Sequence, residues 1–143
     1  MLLSCLLAAC GDRATSVEEY YLSKVKLPDG AVILVEQMRT AEQMTRGMMF
    51  RDELKPDRGM LFSHGGPGKY PYWMYQVRIP LDIVWLNADR RIVEISAKTP
   101  PCGKGPASTC PKYGGSEESL FVVELAGGVA ARHGLKLGDL LVF

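Results

Sequence analysis

The sequence predicts a mainly β domain, α+β only by virtue of two short connecting helices. Short apolar runs rich in Val, Ile, Leu and Phe recur along the chain, separated by turn-forming clusters such as Pro28-Asp29-Gly30 and Asn87-Ala88-Asp89-Arg90. Helical signals are confined to two short stretches, and no internal repeat or heptad is visible. A chain of 143 residues is long enough for one sizeable core.

Residues 20–27 partly alternate, Pro28-Asp29-Gly30 turns, and residues 31–36 continue as an apolar run, which together signal a hairpin. The second run is apolar on both faces, as in a strand covered on both sides. Thr40-Ala41-Glu42-Gln43 matches a capping box and predicts a helix over about 41–46, ended by Gly47. Met44, Met48 and Met49 around it read as core filler, because thioethers suit irregular gaps and no nearby Cys or His supports copper.

Pro56-Asp57-Arg58-Gly59 turns into a short strand, Met60-Leu61-Phe62, and residues 63–69 read as a flexible glycine-rich surface loop. A phosphate loop is not indicated, since Lys69 is followed by Tyr70 and Pro71 with no helix to supply a dipole. Residues 72–75 are strand-like, so Trp73 and Tyr75 share a face; an exposed face would form an aromatic platform, and core is the favoured reading for Trp73. Residues 81–86 form a buried-strand run interrupted by Asp82, and residues 91–97 return after a turn. Residues 119–125 are another strand. Gly127-Gly128 opens a short helix over about 129–133 that Gly134 closes, with His133 as a dipole-compatible cap, and residues 140–143 are a last strand.

Leu7-Ala8-Ala9-Cys10-Gly11 reads as a lipoprotein signal over residues 1–10 ending at an acylated Cys10, with a tether over 11–18 and a single β domain over 19–143. The signal is short and has no basic residue before its apolar core, as a start codon set too far downstream would produce. More than one acyl chain would anchor the protein stably at the bacterial envelope, facing the periplasm or exterior. Cys5 leaves with the signal, and Cys102 and Cys110 remain in a Gly/Pro-rich loop. In an oxidising compartment they are expected to form a disulfide. A redox pair usually has tighter C-x-x-C spacing, and zinc needs more ligands than this loop offers, so neither a metal nor a cofactor is expected. With 17 basic and 16 acidic residues and no Lys/Arg cluster, the chain lacks a nucleic-acid footprint.

Six pieces in order carry a family resemblance: Arg46-Gly47-Met48-Met49-Phe50-Arg51, Asp57-Arg58-Gly59-Met60-Leu61-Phe62, Trp73-Met74 with Ile79-Pro80-Leu81-Asp82-Ile83-Val84, Cys110-Pro111-Lys112-Tyr113, Val122-Val123-Glu124-Leu125, and Gly134-Leu135-Lys136-Leu137-Gly138-Asp139. Over about residues 31–143 the chain resembles the uncharacterised DUF192 family. The resemblance implies a compact barrel-like or sandwich-like β fold with small helices, often behind a signal sequence, and no established activity. The chain departs from the family at Tyr75, where Lys is common, and in a Gly/Pro insertion after Ser63.

Asp82 is the first candidate site residue, because a carboxylate inside an apolar strand must be hydrogen-bonded, paired or protonated. Arg46, Arg51 and Arg78 are its candidate partners, and a buried ion pair fixing the strand is the favoured role. Glu94 and Glu124 are expected to point outward on alternating strands. Ser63, His64 and Asp82 supply the residue types of a triad without its context. The leading expectation is therefore a lipid-anchored, non-catalytic module that binds a small ligand or envelope protein through Arg46, Arg51, Trp73 and Asp82. An enzyme acting on an envelope glycan or other polymer with Asp82 as acid or base, and a structural or assembly lipoprotein, are the alternatives.

Overall fold

In the computed structural model, which describes residues 22–143, the elements follow in the order β1 (Leu22–Lys26), β2 (Val32–Met38), α1 (Ala41–Arg46), β3 (Arg58–Gly68), β4 (Tyr72–Trp73), β5 (Leu81–Leu86), β6 (Ile92–Thr99), β7 (Lys112–Tyr113), β8 (Ser119–Ala126) and α2 (Val129–Arg132). The expected anchor at Cys10 and the tether lie outside the described residues. Six strands form one mixed sheet, order β1-β2-β3-β8-β5-β6, and β4 pairs separately with β7. The predicted hairpins β1–β2 and β5–β6 are both antiparallel pairs.

β2 and β3 run parallel, and a parallel pair needs a crossover. Residues 39–57 supply it, and α1 sits within them. Its capping box is formed: Gln43 N–H donates to Thr40 Oγ1 at 3.2 Å, and Thr40 N–H donates to Gln43 Oε1 at 3.1 Å. Met48 and Leu54 from this crossover pack on one sheet face, with Met38, Met60, Phe62, Met74, Ile83, Trp85 and Val122. The other face carries Val35, Leu61, Val84, Leu86, Val123 and Leu125 under Val129 of α2 and Leu141. A sheet covered on both faces explains why all six residues of β5 are buried. β2 differs from expectation, since Val32 at its start is 44% exposed.

Three further expectations are corrected. The glycine-rich segment after Phe62 is not a loop: β3 runs on to Gly68 and regains pairing at Gly68–Ser119 after an irregularity. Its small residues permit close contact, because a Cβ at Gly68 would lie 2.9 Å from the Tyr70 ring. The last residues are not a strand but make two isolated bridges, Lys26–Val142 and Arg91–Leu140. They touch both sheet edges, but single bridges do not supply the continuous ladder of a closed barrel, and the sheet stays open. The strand expected over residues 72–75 stops at Trp73, and Gln76 takes a left-handed φ of 57°.

The Cys102–Cys110 disulfide is formed, with Cα atoms 5.6 Å apart. Cys102 N–H donates to the Met74 carbonyl at 3.2 Å, tying the loop to the end of β4. Closing this loop stabilises by about 2–3 kcal/mol in the chain-entropy model.

Asp82 is fully buried on the α2 face, and its partners are backbone amides rather than arginines. Oδ1 accepts from Lys98 N–H at 2.7 Å, and Oδ2 accepts from Gly128 N–H at 2.9 Å and Ala130 N–H at 2.7 Å. Lys98 has a φ of 48° beside a register shift in the β5–β6 pair. The carboxylate thus pins a bulge in β6 and the first turn of α2 at once. Asp82→Ala should lower unfolding free energy by about 3 kcal/mol, since it strands three N–H groups, that of Ala130 buried and those of Lys98 and Gly128 part-buried. Asp82→Asn, which keeps one acceptor oxygen, should fall between. Urea unfolding checks both, and an alanine variant as stable as the parent would contradict the role.

Candidate functional site

Strand register places Glu36, Met60, Glu124 and Ile83 in one transverse row across β2, β3, β8 and β5. Alternation along β8 puts Val123 and Leu125 on the α2 face, so Val122 and Glu124 face the methionine and aromatic core. Glu124 was expected to point outward. Both faces of the sheet are covered where β8 runs, so Glu124 has no outward side to take and is only 5% exposed.

Glu124 lines a cavity of about 220 Å³. One wall is the end of α1 and the turn after it, from Met44 to Met49; the other holds Phe62 and His64 of β3, Tyr72 and Trp73 of β4, and Tyr75. Gly47 keeps the first wall close: a Cβ there would lie 3.3 Å from the Phe62 ring and 3.8 Å from Glu124 Oε2. Its φ of 43° also disfavours a side chain.

The carboxyl atom Oε2 of Glu124 is buried without a hydrogen-bond partner among the described residues. Burial pushes the Glu124 pKa up to about 8, with the Arg51 charge opposing. At neutral pH the group is therefore mostly protonated. Burial, and then the Glu124 charge, push the Tyr72 phenol above its ordinary range, and burial lowers the His64 pKa. Tyr72 Oη and His64 Nε2 share a hydrogen bond at 3.2 Å, and the His64 ring stacks on Tyr70 at 3.6 Å. Phe62 and Trp85 meet the Tyr72 ring edge-on at 5.3 and 5.9 Å, which fixes its orientation. The site thus holds a neutral carboxyl able to donate a hydrogen bond, or to become a counter-charge once its proton leaves.

The four residues singled out in the sequence do not form one site. Arg46 is exposed and lines the Glu124 cavity. Trp73 lines it too, half-buried rather than core, with Lys112 Nζ 3.9 Å from its ring centroid and Tyr75 at 5.5 Å. Arg51 grips Glu36 through two bonds of 2.6 Å and lines an adjoining hollow with Phe50 and Met60. Asp82 lies on the opposite face of the sheet. Of its other expected partners, Arg78 pairs with Asp52 at 2.8 Å. His133 bonds Asp29 at 2.7 Å, beyond the cap role expected of it. Among the described residues, no three His, Cys, Asp or Glu side chains group closely enough to hold a metal ion. Glu124 was missed although Val122-Val123-Glu124-Leu125 shows the signal that singled out Asp82, an acid inside an apolar run.

The raised pKa has a consequence for stability. In the unfolded chain Glu124 titrates near its ordinary 4.5, and in the folded protein near about 8. Between these values the folded state keeps a proton that the unfolded state has lost, so this group makes stability fall as pH rises, by about 1.4 kcal/mol per unit. Glu124→Gln should remove that slope and be the more stable protein at about pH 8, with little difference at about pH 4. Urea midpoints across that range test it, and parallel profiles for the two proteins would contradict it.

Comparison with known proteins follows the same fold. The chain is similar to a protein of unknown function from Novosphingobium aromaticivorans, with 34% identity over 85% of each chain and a TM-score of 0.74. It is also similar to a Sinorhizobium meliloti protein named provisionally as a transcription regulator, with 27% identity over 83% of this chain and 89% of that one and a TM-score of 0.70. No curated protein matches it. The profile of DUF192, described as "Uncharacterized ACR", matches residues 24–143. The chain therefore belongs to the DUF192 family.

Proposed function

We propose that the protein is a small-ligand-binding module held at the bacterial envelope by lipid on Cys10, with the ligand seated in the Glu124 cavity. The observation that carries the binding reading is the unpartnered, buried Oε2 of Glu124 beside an open space. Leaving a carboxyl buried without a partner costs free energy, and a purely structural fold avoids that cost with an apolar residue at the same place. A bound molecule with a hydrogen-bonding group supplies the missing partner. The cavity suits a small guest: about 220 Å³ here, against the roughly 150 Å³ that holds a benzene in an engineered apolar cavity.

A second reading, an enzyme with Glu124 as acid or base, draws on the same raised pKa, since such shifts cluster at catalytic sites. It has less support. Glycoside hydrolysis needs two carboxyl groups across one cleft, Glu124 is the single acid lining this cavity among the described residues, and Glu36 in the adjoining hollow is held by Arg51. Asp82 is not available for that work, because three amides take up its oxygens. A regulator reading taken from the Sinorhizobium relative finds little to stand on in a chain with 17 basic and 16 acidic residues.

The envelope location rests on the signal-like residues 1–10 and on the disulfide, which suits an oxidising compartment. Mass spectrometry of the mature protein should find Cys10 at the N-terminus carrying acyl chains, and Cys10→Ser should leave the membrane fraction. An unmodified, uncleaved N-terminus would overturn the anchor. For the cavity, indole is a probe of suitable size. Titrating it should shift the backbone resonances of Gly47, Trp73 and Glu124, and the absence of any shift at saturating indole would overturn the binding site.

A further inference from the structure

We propose that the ligand of the Glu124 cavity is a small zwitterion, a free amino acid or a close analogue, with its ammonium on Glu124 and its carboxylate toward Arg46. This rests on the ligand-binding reading above and adds the chemical class.

The charges along the cavity are ordered. Inside lies the carboxyl group of Glu124, whose Oε2 lacks a hydrogen-bond partner among the described residues. Its neighbours do not supply one: the Arg51 guanidinium grips both oxygens of Glu36, and His64 and Tyr72 share a hydrogen bond with each other. An ammonium group brings both the missing donor and the counter-charge that ionises the carboxyl. At the exposed end the sign reverses. Arg46, an exposed residue at the end of α1, lines the cavity, and Lys112 of β7 packs on the ring of Trp73, which lines it too. Opposite signs at the two ends of one short cavity fit a dipolar guest. A simple cation brings no counter-charge for Arg46, and a simple anion brings no donor for Glu124 Oε2.

The walls between the two ends are apolar and adaptable. Met48, Met49, Tyr72 and Trp73 offer thioether and ring surface to an aliphatic or thioether side chain. The volume of about 220 Å³ admits a single residue. Four groups set the charge around Glu124: Arg46 from α1, Arg51 from the turn that follows, His64 from β3 and Tyr72 from β4. With His64 and Tyr72 held neutral by burial, docking of the ammonium releases the Glu124 proton to solvent.

Calorimetry on the full chain at neutral pH tests this, with the free amino acids as a panel, N-acetyl and carboxamide derivatives of the best binder, and indole as a neutral probe. One or more apolar amino acids should bind with release of close to one proton, read from the dependence of heat on buffer ionisation. N-acetylation should weaken binding by about a hundredfold, and amidation of the carboxylate by about tenfold. Arg46→Ala should make the acid and the amide equal, and Glu124→Gln, shown folded by its unfolding transition, should lose the amino acid while still taking indole. Binding of indole with no amino acid bound, or an N-acetyl derivative equal to its parent, overturns the zwitterion while leaving the cavity as a binding site. Failure of both indole and every amino acid overturns both.

Discussion

The structure turns on a sheet that is apolar on both faces and covered on both. The crossover between the parallel strands β2 and β3 lays α1 and its methionines over one face, and α2 with the C-terminal segment covers the other. An acid on either of the central strands β8 and β5 is then buried, whichever way it points. Two such acids exist, Asp82 on β5 and Glu124 on β8, one to each face.

The fold treats these two carboxyl groups differently, and the difference separates scaffold from site. Asp82 meets the first turn of α2 and a bulge in β6, so three backbone amides converge on it, and its burial organises the chain. Glu124 meets methionines, aromatic rings and an open cavity, and its Oε2 has no partner. The first arrangement satisfies a buried carboxyl group with hydrogen bonds; the second leaves a neutral acid with a buried oxygen unpartnered among the described residues, at a cost in free energy. Gly47 and the edge-on packing of Phe62, Tyr72 and Trp85 hold the cavity wall in place around it.

Local chemistry was legible in the sequence wherever it was self-contained. The Thr40–Gln43 capping box, the turn at Pro28-Asp29-Gly30, the buried run of β5 and the Cys102–Cys110 pair need few distant residues to be understood. What depended on tertiary context was not legible. The glycine-rich residues after Ser63 look like a loop, yet Tyr70 packs where side chains would otherwise stand, and β8 recovers the strand. The amides that hold Asp82 come from residues 16, 46 and 48 positions away, and amides leave no mark in composition. Glu124 showed the right signal and was given the wrong face, because alternation implies an exposed side only when one face of a sheet is wet. Trp73 and Arg46 proved neighbours of Glu124, so part of the site was visible as residue types while its central group was not.

The central claim is that Glu124 is a neutral acid in the folded protein, with its buried Oε2 unpartnered among the described residues. Carbon-13 NMR of the glutamate side-chain carboxyls, assigned by comparison with Glu124→Gln, measures it directly. The account predicts a Glu124 titration midpoint near about 8 without ligand. A midpoint near the ordinary 4.5 would mean that the carboxyl is solvated or paired, and would contradict the account.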